Sequence, residues 1–550
     1  MPSGTKFGCT PYAMMETFGD PMPPARTTAV RPYDLALHEA LRLATFFAVI
    51  KLLLHIALNA WQAHIGWGYF RDEMYYIACG RQLAWGYVDQ GPLVALQAKV
   101  TLAFFGKSLV GIRMLSGLAG AGRVFLTGVL VWSLGGRRPA QALAMIGVFV
   151  APQYLALDGF LSMNSCESLF WMSCLLALIL ILRGESSRWW LLFGVSAGLG
   201  LLNKPSMTFF LVTLLLALLL TPQRRILFNK WAAVGVALLI LIALPNLFWQ
   251  IHHHWPTLEF LHNGRVENKN IKLGPLPFLL TQIKNLQPLT LLIWGAGLVW
   301  LLRRAQSKWR WIGLTYLLFL ALMMALHAKD YYVVPIYPVL FAAGGVAWER
   351  HYSRSVGVIR NRIFAFPIME TCMIVAAVLI LPLSIPVLRP QTWLTYTKTM
   401  HLYRTSGNSE NDPSGPLPQF YADRFGWQEE VDQVTRVYQS LSPEDRAHVG
   451  IACSNYGEAG AIDFLGHGLP PAISGHNNYW LWGPKGYTGD VLILINGATP
   501  QELSEFYQSV QIVGRMDVPF SMPFEHRNIY LVRGRRKNLT DDWLSFKHYI

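Results

Sequence analysis

A chain of 550 residues with 53% hydrophobic and only 14% charged side chains falls well short of the roughly 25% charge of soluble domains, which excludes an ordinary soluble enzyme. The net charge of +14 does not point to nucleic acid, because the basic residues fill short loops between apolar runs, the pattern that orients a membrane protein. The six cysteines (Cys9, Cys79, Cys166, Cys174, Cys372 and Cys453) form no CxxC pair, which argues against a structural zinc and favours small buried hydrophobes, with a Cys79–Cys453 disulfide left open.

Residues 1–40 carry Pro21, Pro23, Pro24, Arg26 and Arg31 without an apolar core. They are expected to be a disordered cytoplasmic tail rather than a cleaved signal peptide, with the first span as the targeting signal. Apolar stretches long enough for a bilayer then recur at 42–60, 114–134, 139–157, 167–182, 189–202, 206–220, 231–249, 287–302, 311–326, 334–348 and 366–388, eleven in all. Stretch 93–111 is also apolar, but Lys99 and Lys107 interrupt it, and it is expected as an interfacial or re-entrant helix. Arg123 falls inside the second span and requires snorkelling or an internal partner.

Arg137 and Arg138, Arg183 and Arg188, and Arg224, Arg225 and Lys230 fill alternate loops. Arg303, Arg304, Lys308 and Arg310, then Arg350, Arg354, Arg360 and Arg362, fill two more. By the positive-inside rule these loops face the cytoplasm. Between residues 61 and 335 the acids are Asp72, Glu73, Asp89, Asp158, Glu167, Glu185, Glu259, Glu267 and Asp330, and all but Glu185 lie in or beside the opposite loops. Ionisable groups next to a bilayer are costly, so this outer face is where chemistry is expected. Its first loop runs Gly68-Tyr69-Phe70-Arg71-Asp72-Glu73-Met74-Tyr75-Tyr76 and then Gly86-Tyr87-Val88-Asp89-Gln90-Gly91-Pro92. The others hold Asn164 and Glu167, Lys204, the stretch 250–286 with Gln250 and His252–His254, and Lys329-Asp330-Tyr331-Tyr332.

Beyond about residue 390 the texture becomes that of a soluble domain. Strands are expected at 448–453, 491–496, 510–513 and 528–532, and helices at 427–441 and 500–509, a small α/β domain. Asn455-Tyr456-Gly457-Glu458-Ala459-Gly460 and His476-Asn477-Asn478-Tyr479-Trp480 read equally as a ligand-facing loop pair or as structured turns. The expected division is a tail (1–40), a membrane domain (41–389) with outer loops 61–113, 250–286 and 327–334, and an external domain (390–550). The fold class is a polytopic α-helical membrane protein of about eleven spans with a small C-terminal α/β domain.

On the outer face, carboxylates, lysines and aromatics form the minimum set for moving a glycosyl unit off a phospholipid. A carboxylate deprotonates the acceptor hydroxyl, fixed cations stabilise the departing phosphate, and aromatic rings carry the sugar. Three adjacent histidines cannot all aim at one ion from one helical face, so His252–His254 are expected at a polar loop edge.

The motif Tyr69-Phe70-Arg71-Asp72-Glu73-x-Tyr75-Tyr76 with Gly86-Tyr87-Val88-Asp89-x-x-Pro92-Leu93 resembles the GT-C superfamily of membrane glycosyltransferases, in the branch of bacterial protein O-mannosyltransferases and aminoarabinose transferases (glycosyltransferase family 39). Asn164-x-x-Glu167, Pro245-Asn246-x-x-Trp249-Gln250 with Pro256-Thr257, and Lys329-x-Tyr331-Tyr332 fit the same branch. The resemblance covers roughly residues 60–345, and the external domain is similar to the tail that many bacterial members carry.

It implies an inverting transferase of the bacterial inner membrane, N-terminus cytoplasmic and C-terminal domain periplasmic. Its donor would be a polyprenyl-phosphate-linked sugar, its acceptor a lipid, glycan or protein, and its surroundings membrane lipid without nucleic acid. Asp72 or Glu73 would be the base or its orienting partner, and Asp89 would touch the donor or a metal. Relatives with a lysine after that acid use it on the phosphate. Gln90 stands there instead, shifting the burden to Arg71, Lys204 and Lys329, with Tyr331 and Tyr332 beside them. Tyr75, Tyr76, Tyr87, Asn164, Glu167, Gln250, His476 and Asn477 would bind substrate. The resemblance fixes no cofactor, and a divalent metal on Asp89 and His253 stays open. The other function class is a transporter or flippase for a polar or lipid-linked substrate, which predicts inverted repeats and mid-membrane ionisable groups.

Overall fold

The computed structural model describes residues 36–354, 359–402, 410–413 and 415–550. Most of the expected tail lies outside them, and residues 37–40 are already helical, opening α1 (Leu37–His64). Helices occupy each apolar stretch found in the sequence. Among the described residues six are long and apolar enough to cross a membrane: Leu37–His64, Met114–Ser133, Met163–Arg183, Lys230–His252, Asp330–Ser353 and Ala365–Ser384. Two bent pairs, Arg138–Val150 with Pro152–Asp158 (62°) and Pro275–Asn285 with Pro288–Leu302 (97°), bring the number to eight if each is one span. Trp189–Asn203, Ser206–Leu219 and Arg310–Ala325 are apolar but shorter.

Arg123 has an internal partner. It lies 3.0 Å from Asp158, which also takes Lys51 at 3.3 Å, and the three side chains are almost fully buried. Buried charge must be compensated in this way, so Asp158 balances two cations inside the helical bundle and is not an outer-loop acid.

The C-terminal domain carries a five-stranded sheet in the order β2 (Ala472–Ser474), β1 (Gly450–Cys453), β3 (Val491–Asn496), β5 (Asn528–Arg535), β4 (Tyr507–Arg515). β1 pairs parallel with β2 and β3, while β5 runs antiparallel to β3 and β4. The apolar run Val491–Ile495 forms its centre, as an interior strand covered on both faces requires. The helix expected over 500–509 stops at Ser504. Beyond it Tyr507 enters the sheet opposite Arg535, so pairing with β5 overrides local helical preference.

The sequence boundary near residue 390 divides the chain but not the core. Between the first two spans, α2 (Arg71–Arg81) and α3 (Pro92–Phe105) bury Met74, Ile77, Val94 and Ala98 in one cluster with Val431, Ile451, Ile462 and Ile493 of the C-terminal domain. Helix Tyr456–Leu465 lies directly on α2. Gly460 permits this approach, since a Cβ there would stand 3.0 Å from the Met74 carbonyl carbon. Asn455 starts that helix through a reciprocal cap, its Oδ1 accepting from Gly457 and Glu458 N–H while Glu458 accepts from Asn455 N–H. Residues 455–460 thus form an ordered helix start, and the helix delivers Tyr456 to α2. Cys79 and Cys453 are buried free thiols.

Candidate active site

At the N-terminus of α2 three consecutive charged residues take three directions, because neighbours on a helix diverge by about 100°. Glu73 turns inward and is fully buried. Arg113 Nε and Nη2 donate to its two oxygens at 2.8 Å each, and Leu161 and Phe70 N–H donate at 2.8 Å each. Arg113 is itself held by Asn59 Oδ1 and Gln62 Oε1. Burial would raise the Glu73 pKa, but Arg113, Arg424 and the Leu161 N–H together hold the carboxyl below its ordinary range. With its oxygens committed, Glu73 is an anchor for the helix start and not the base, which corrects the expectation from sequence.

Asp72 faces the other way, with 26% of its side chain exposed, and accepts the Tyr456 hydroxyl at 2.9 Å. Arg71 is surrounded by carboxylates: Asp72 at 3.7 Å, Glu410 at 3.8 Å and Asp423 at 3.8 Å. Its guanidinium also lies over the Tyr456 and Phe524 rings. Glu410 further takes Lys329 Nζ at 3.2 Å and Gln419 Nε2 at 2.8 Å. Burial opposes its charge, yet Lys329, Lys269 and Arg71 hold its carboxyl far below the usual range. Asp423 is pushed up to about 7 by burial, with Arg71 pulling the other way.

Asp89 stands on the connection between α2 and α3. Its Oδ1 accepts the Tyr75 hydroxyl at 2.8 Å. Burial raises its pKa to about 6, against the lowering effect of that bond, and Asp72 and Lys269 are the charges it feels. Gly91 closes the connection where a Cβ would stand 2.1 Å from Leu202 O, so this turn is wedged against the Trp189–Asn203 helix. Gln90 points into the protein, Nε2 donating to Cys79 Sγ at 3.3 Å.

A second cluster adjoins the first. Lys204 donates to Asn164 Oδ1 at 2.8 Å and Glu167 Oε2 at 3.0 Å, and its ammonium lies over the Tyr332 and Tyr331 rings at 4.2 and 5.2 Å. Ser206 also donates to Glu167. Tyr331 is within electrostatic reach of Glu167 on one side and of Glu410 and Asp72 on the other, and Tyr76 is within reach of Asp72, Asp89 and Tyr331. The structure thus gathers Arg71, Asp72, Tyr76, Asp89, Asn164, Glu167, Lys204, Lys329, Tyr331 and Tyr332.

A cleft of about 390 Å³ opens beside Arg71, lined among others by Lys269, Glu410, Tyr456, His476 and His548. Burial pushes the His476 pKa well down, and its Nε2 meets Ile550 O at 2.8 Å. Asn477 does not line the cleft; it bonds Ile550 through both ends of its amide.

Other expected binders serve the scaffold. Tyr87 directs its hydroxyl to Cys79 O and Gln82 O. Gln250 donates to Thr257 Oγ1 at 2.7 Å, bracing the turn that the three histidines begin. The Tyr75 hydroxyl is given to Asp89. His253 Nδ1 meets Trp249 O at 2.9 Å and its ring stacks on Trp249, so Asp89 and His253 have separate partners. Among the described residues no three His, Cys, Asp or Glu side chains converge as metal ligands.

Sequence reasoning missed Glu410, Lys269 and Asp423, and it held Tyr456 and Asn478 only within the two C-terminal segments read equally as ligand-facing loops or structured turns. The one local signal was Asn455-x-x-Glu458, whose capping pattern marks a helix start.

Residues 89–249 match a family described as dolichyl-phosphate-mannose-protein mannosyltransferase. The matched span contains Asp89, Asn164, Glu167 and Lys204. No curated protein matches the chain. Among solved structures, the fold is similar to crystal structures of ArnT from Cupriavidus metallidurans. The one bound to undecaprenyl phosphate has a TM-score of 0.57 at 13% identity, covering 91% of this chain and 100% of that chain. The apo one has a TM-score of 0.57 at 14% identity, covering 90% and 100%. The likeness is one of fold and extends over the membrane helices and the C-terminal sheet of this chain.

Proposed function

We propose that this protein is a membrane glycosyltransferase that moves a sugar from a polyprenyl-phosphate carrier to an acceptor on the outer face of the membrane. The observation that carries the reading is the meeting of two kinds of group at one site. Asp72, a partly exposed carboxylate, and Lys204, a buried lysine braced by Asn164 and Glu167, are linked through Tyr331, which lies with Tyr332 over the Lys204 ammonium and is within electrostatic reach of Asp72. The matched family and the undecaprenyl phosphate held by ArnT supply the substrate class.

In this reading Asp72 takes the proton from the acceptor hydroxyl as its oxygen attacks the anomeric carbon. The bond from that carbon to the phosphate oxygen breaks with its electron pair leaving on the phosphate, and the sugar inverts. Tyr456 keeps the Asp72 carboxylate in one orientation, which general base catalysis requires. Lys204, with Arg71 and Lys329 nearby, stabilises the phosphate as its charge grows. The cleft by Tyr456 and His476 receives the sugar-bearing part of a substrate. The basic residues in alternate loops favour a cytoplasmic N-terminus, with this site on the periplasmic side of a bacterial inner membrane.

The test is turnover by the purified protein in proteoliposomes, using undecaprenyl-phosphate aminoarabinose and polyprenyl-phosphate mannose as donors with lipid, glycan and peptide acceptors. Formation of free polyprenyl phosphate that depends on acceptor supports the reading. Transbilayer movement of donor without cleavage refutes it in favour of a flippase.

A further inference from the structure

A carboxylate on a loop is only as well aimed as the groups that tie it down, since pre-organisation depends on the supporting shell. Asp89 belongs to no helix or strand, and its ties come from far along the chain. Asn478 of the C-terminal domain is buried and accepts the Val88 N–H on its Oδ1 at 2.7 Å. The same oxygen lies 3.3 Å from the Tyr75 hydroxyl, and the Asn478 N–H donates to that hydroxyl at 3.3 Å. With its lone pair engaged by Asn478, the Tyr75 hydroxyl makes its shorter contact, 2.8 Å, to Asp89. The Tyr75 ring is fixed by stacking on Tyr456 at 4.6 Å.

The backbone that carries Asn478 is itself unusual. Asn477 has φ 47° and ψ −127°, which side-chain-bearing residues rarely adopt, and it is held there by both ends of its amide on Ile550. Strained residues of this kind persist only where surrounding structure over-determines them.

We propose that Asn478 is a positioning residue for Asp89, acting through Tyr75 and the Val88 amide, so that the C-terminal domain is an integral part of the site. This rests on reading Asp89 as a working group of that site. The titratable groups facing Asp89 are Tyr75, Tyr76 and Cys79 of α2, Asp72 at its start, Lys269 from the 267–270 turn and Tyr456 from the C-terminal domain. The Tyr75 bond favours the charged carboxylate, so losing it raises the pH at which Asp89 takes up its proton.

The experiment uses the full chain in nanodiscs and reads carbodiimide labelling of Asp89 by mass spectrometry across pH, because the reagent couples to the protonated carboxyl. Tyr75→Phe keeps the stacked ring and removes only the hydroxyl, and Asn478→Ala removes the acceptor. Both are expected to move the labelling midpoint to higher pH than wild type. Where donor turnover is measured, both are expected to lower kcat about tenfold with KM for donor little changed. An unmoved midpoint in folded Tyr75→Phe and Asn478→Ala protein overturns the proposal. Wild-type turnover by Asp89→Asn overturns the role of Asp89 instead, whatever the labelling reports.

Discussion

Tyr456 donates its hydroxyl to the Asp72 carboxylate at 2.9 Å, joining residues 384 positions apart. Asp89 is held the same way, by Tyr75 under the control of Asn478, 403 positions from Tyr75. Both acids of the proposed site therefore stand on the first outer segment and are aimed by the C-terminal domain. Tyr456→Phe leaves the ring stacked on Tyr75 and removes only the orienting bond. Its expected outcome is a roughly tenfold lower kcat, the scale of one hydrogen bond to a charged group at roughly 1.5–3 kcal/mol, with thermal stability little changed.

Glu73 and Arg113 act on folding rather than on turnover. Glu73→Ala leaves a guanidinium buried without its partner, which costs about 3–5 kcal/mol, and a loss of that size is expected in thermal unfolding of the detergent-solubilised protein. Arg113→Ala is expected to behave alike.

Lys204 is expected to govern affinity for the carrier phosphate. Lys204→Ala removes a charge-assisted contact of roughly 1.5–3 kcal/mol, so KM for the polyprenyl donor is expected to rise about tenfold or more. The same variant strands Glu167, so Lys204→Arg, which keeps the charge, is the control for stability.

The pH profile follows from Asp89 and Glu410. Burial raises Asp89 to about 6, so activity that needs its carboxylate falls as pH drops through about 6. A raised carboxyl pKa stabilises the fold at low pH and loses that contribution as pH rises through the folded value. Glu410, held down by Lys329, Lys269 and Arg71, has the opposite sense: its contribution is present above about 4.5 and is lost as pH falls below it. Initial rates measured between pH 4 and 8, and unfolding midpoints measured between pH 2 and 8 on wild type and Glu410→Gln, check both signs.

Gly460 sets the distance between α2 and the Tyr456–Leu465 helix. Gly460→Val would push against Met74 and Tyr75 backbone, an overpacking cost of about 1–3 kcal/mol, and would draw Tyr456 away from Asp72. Loss of turnover greater than that of Tyr456→Phe is expected, measured on protein matched for folded content.

Asp72, Asp89, Lys204 and Glu167, with Asn164 beside the last, stood out in the sequence as candidates because charged groups beside apolar spans are costly enough to need a reason. Glu73 was misread because adjacency in sequence is divergence on a helix, and its partner Arg113 lies 40 positions away. The buried charge cluster at Asp158 was hidden for the same reason: Lys51 and Arg123 come from two other helices. Tyr456, Asn478 and Glu410 left no mark in the outer-loop motifs, since their roles arise only when the C-terminal sheet packs on α2. Four strands of that sheet were readable from their apolar runs, whereas the short β2 was not, and the first residues of β4 fell in an expected helix because pairing with β5 decides where that strand starts.

The most direct measurement compares wild type with Asp72→Asn in proteoliposomes, following release of polyprenyl phosphate from a polyprenyl-phosphate-linked sugar. The account predicts acceptor-dependent release by wild type and a rate at least about 100-fold lower for Asp72→Asn, the scale of a lost general base, with undecaprenyl phosphate binding retained. Release by Asp72→Asn at the wild-type rate would contradict it.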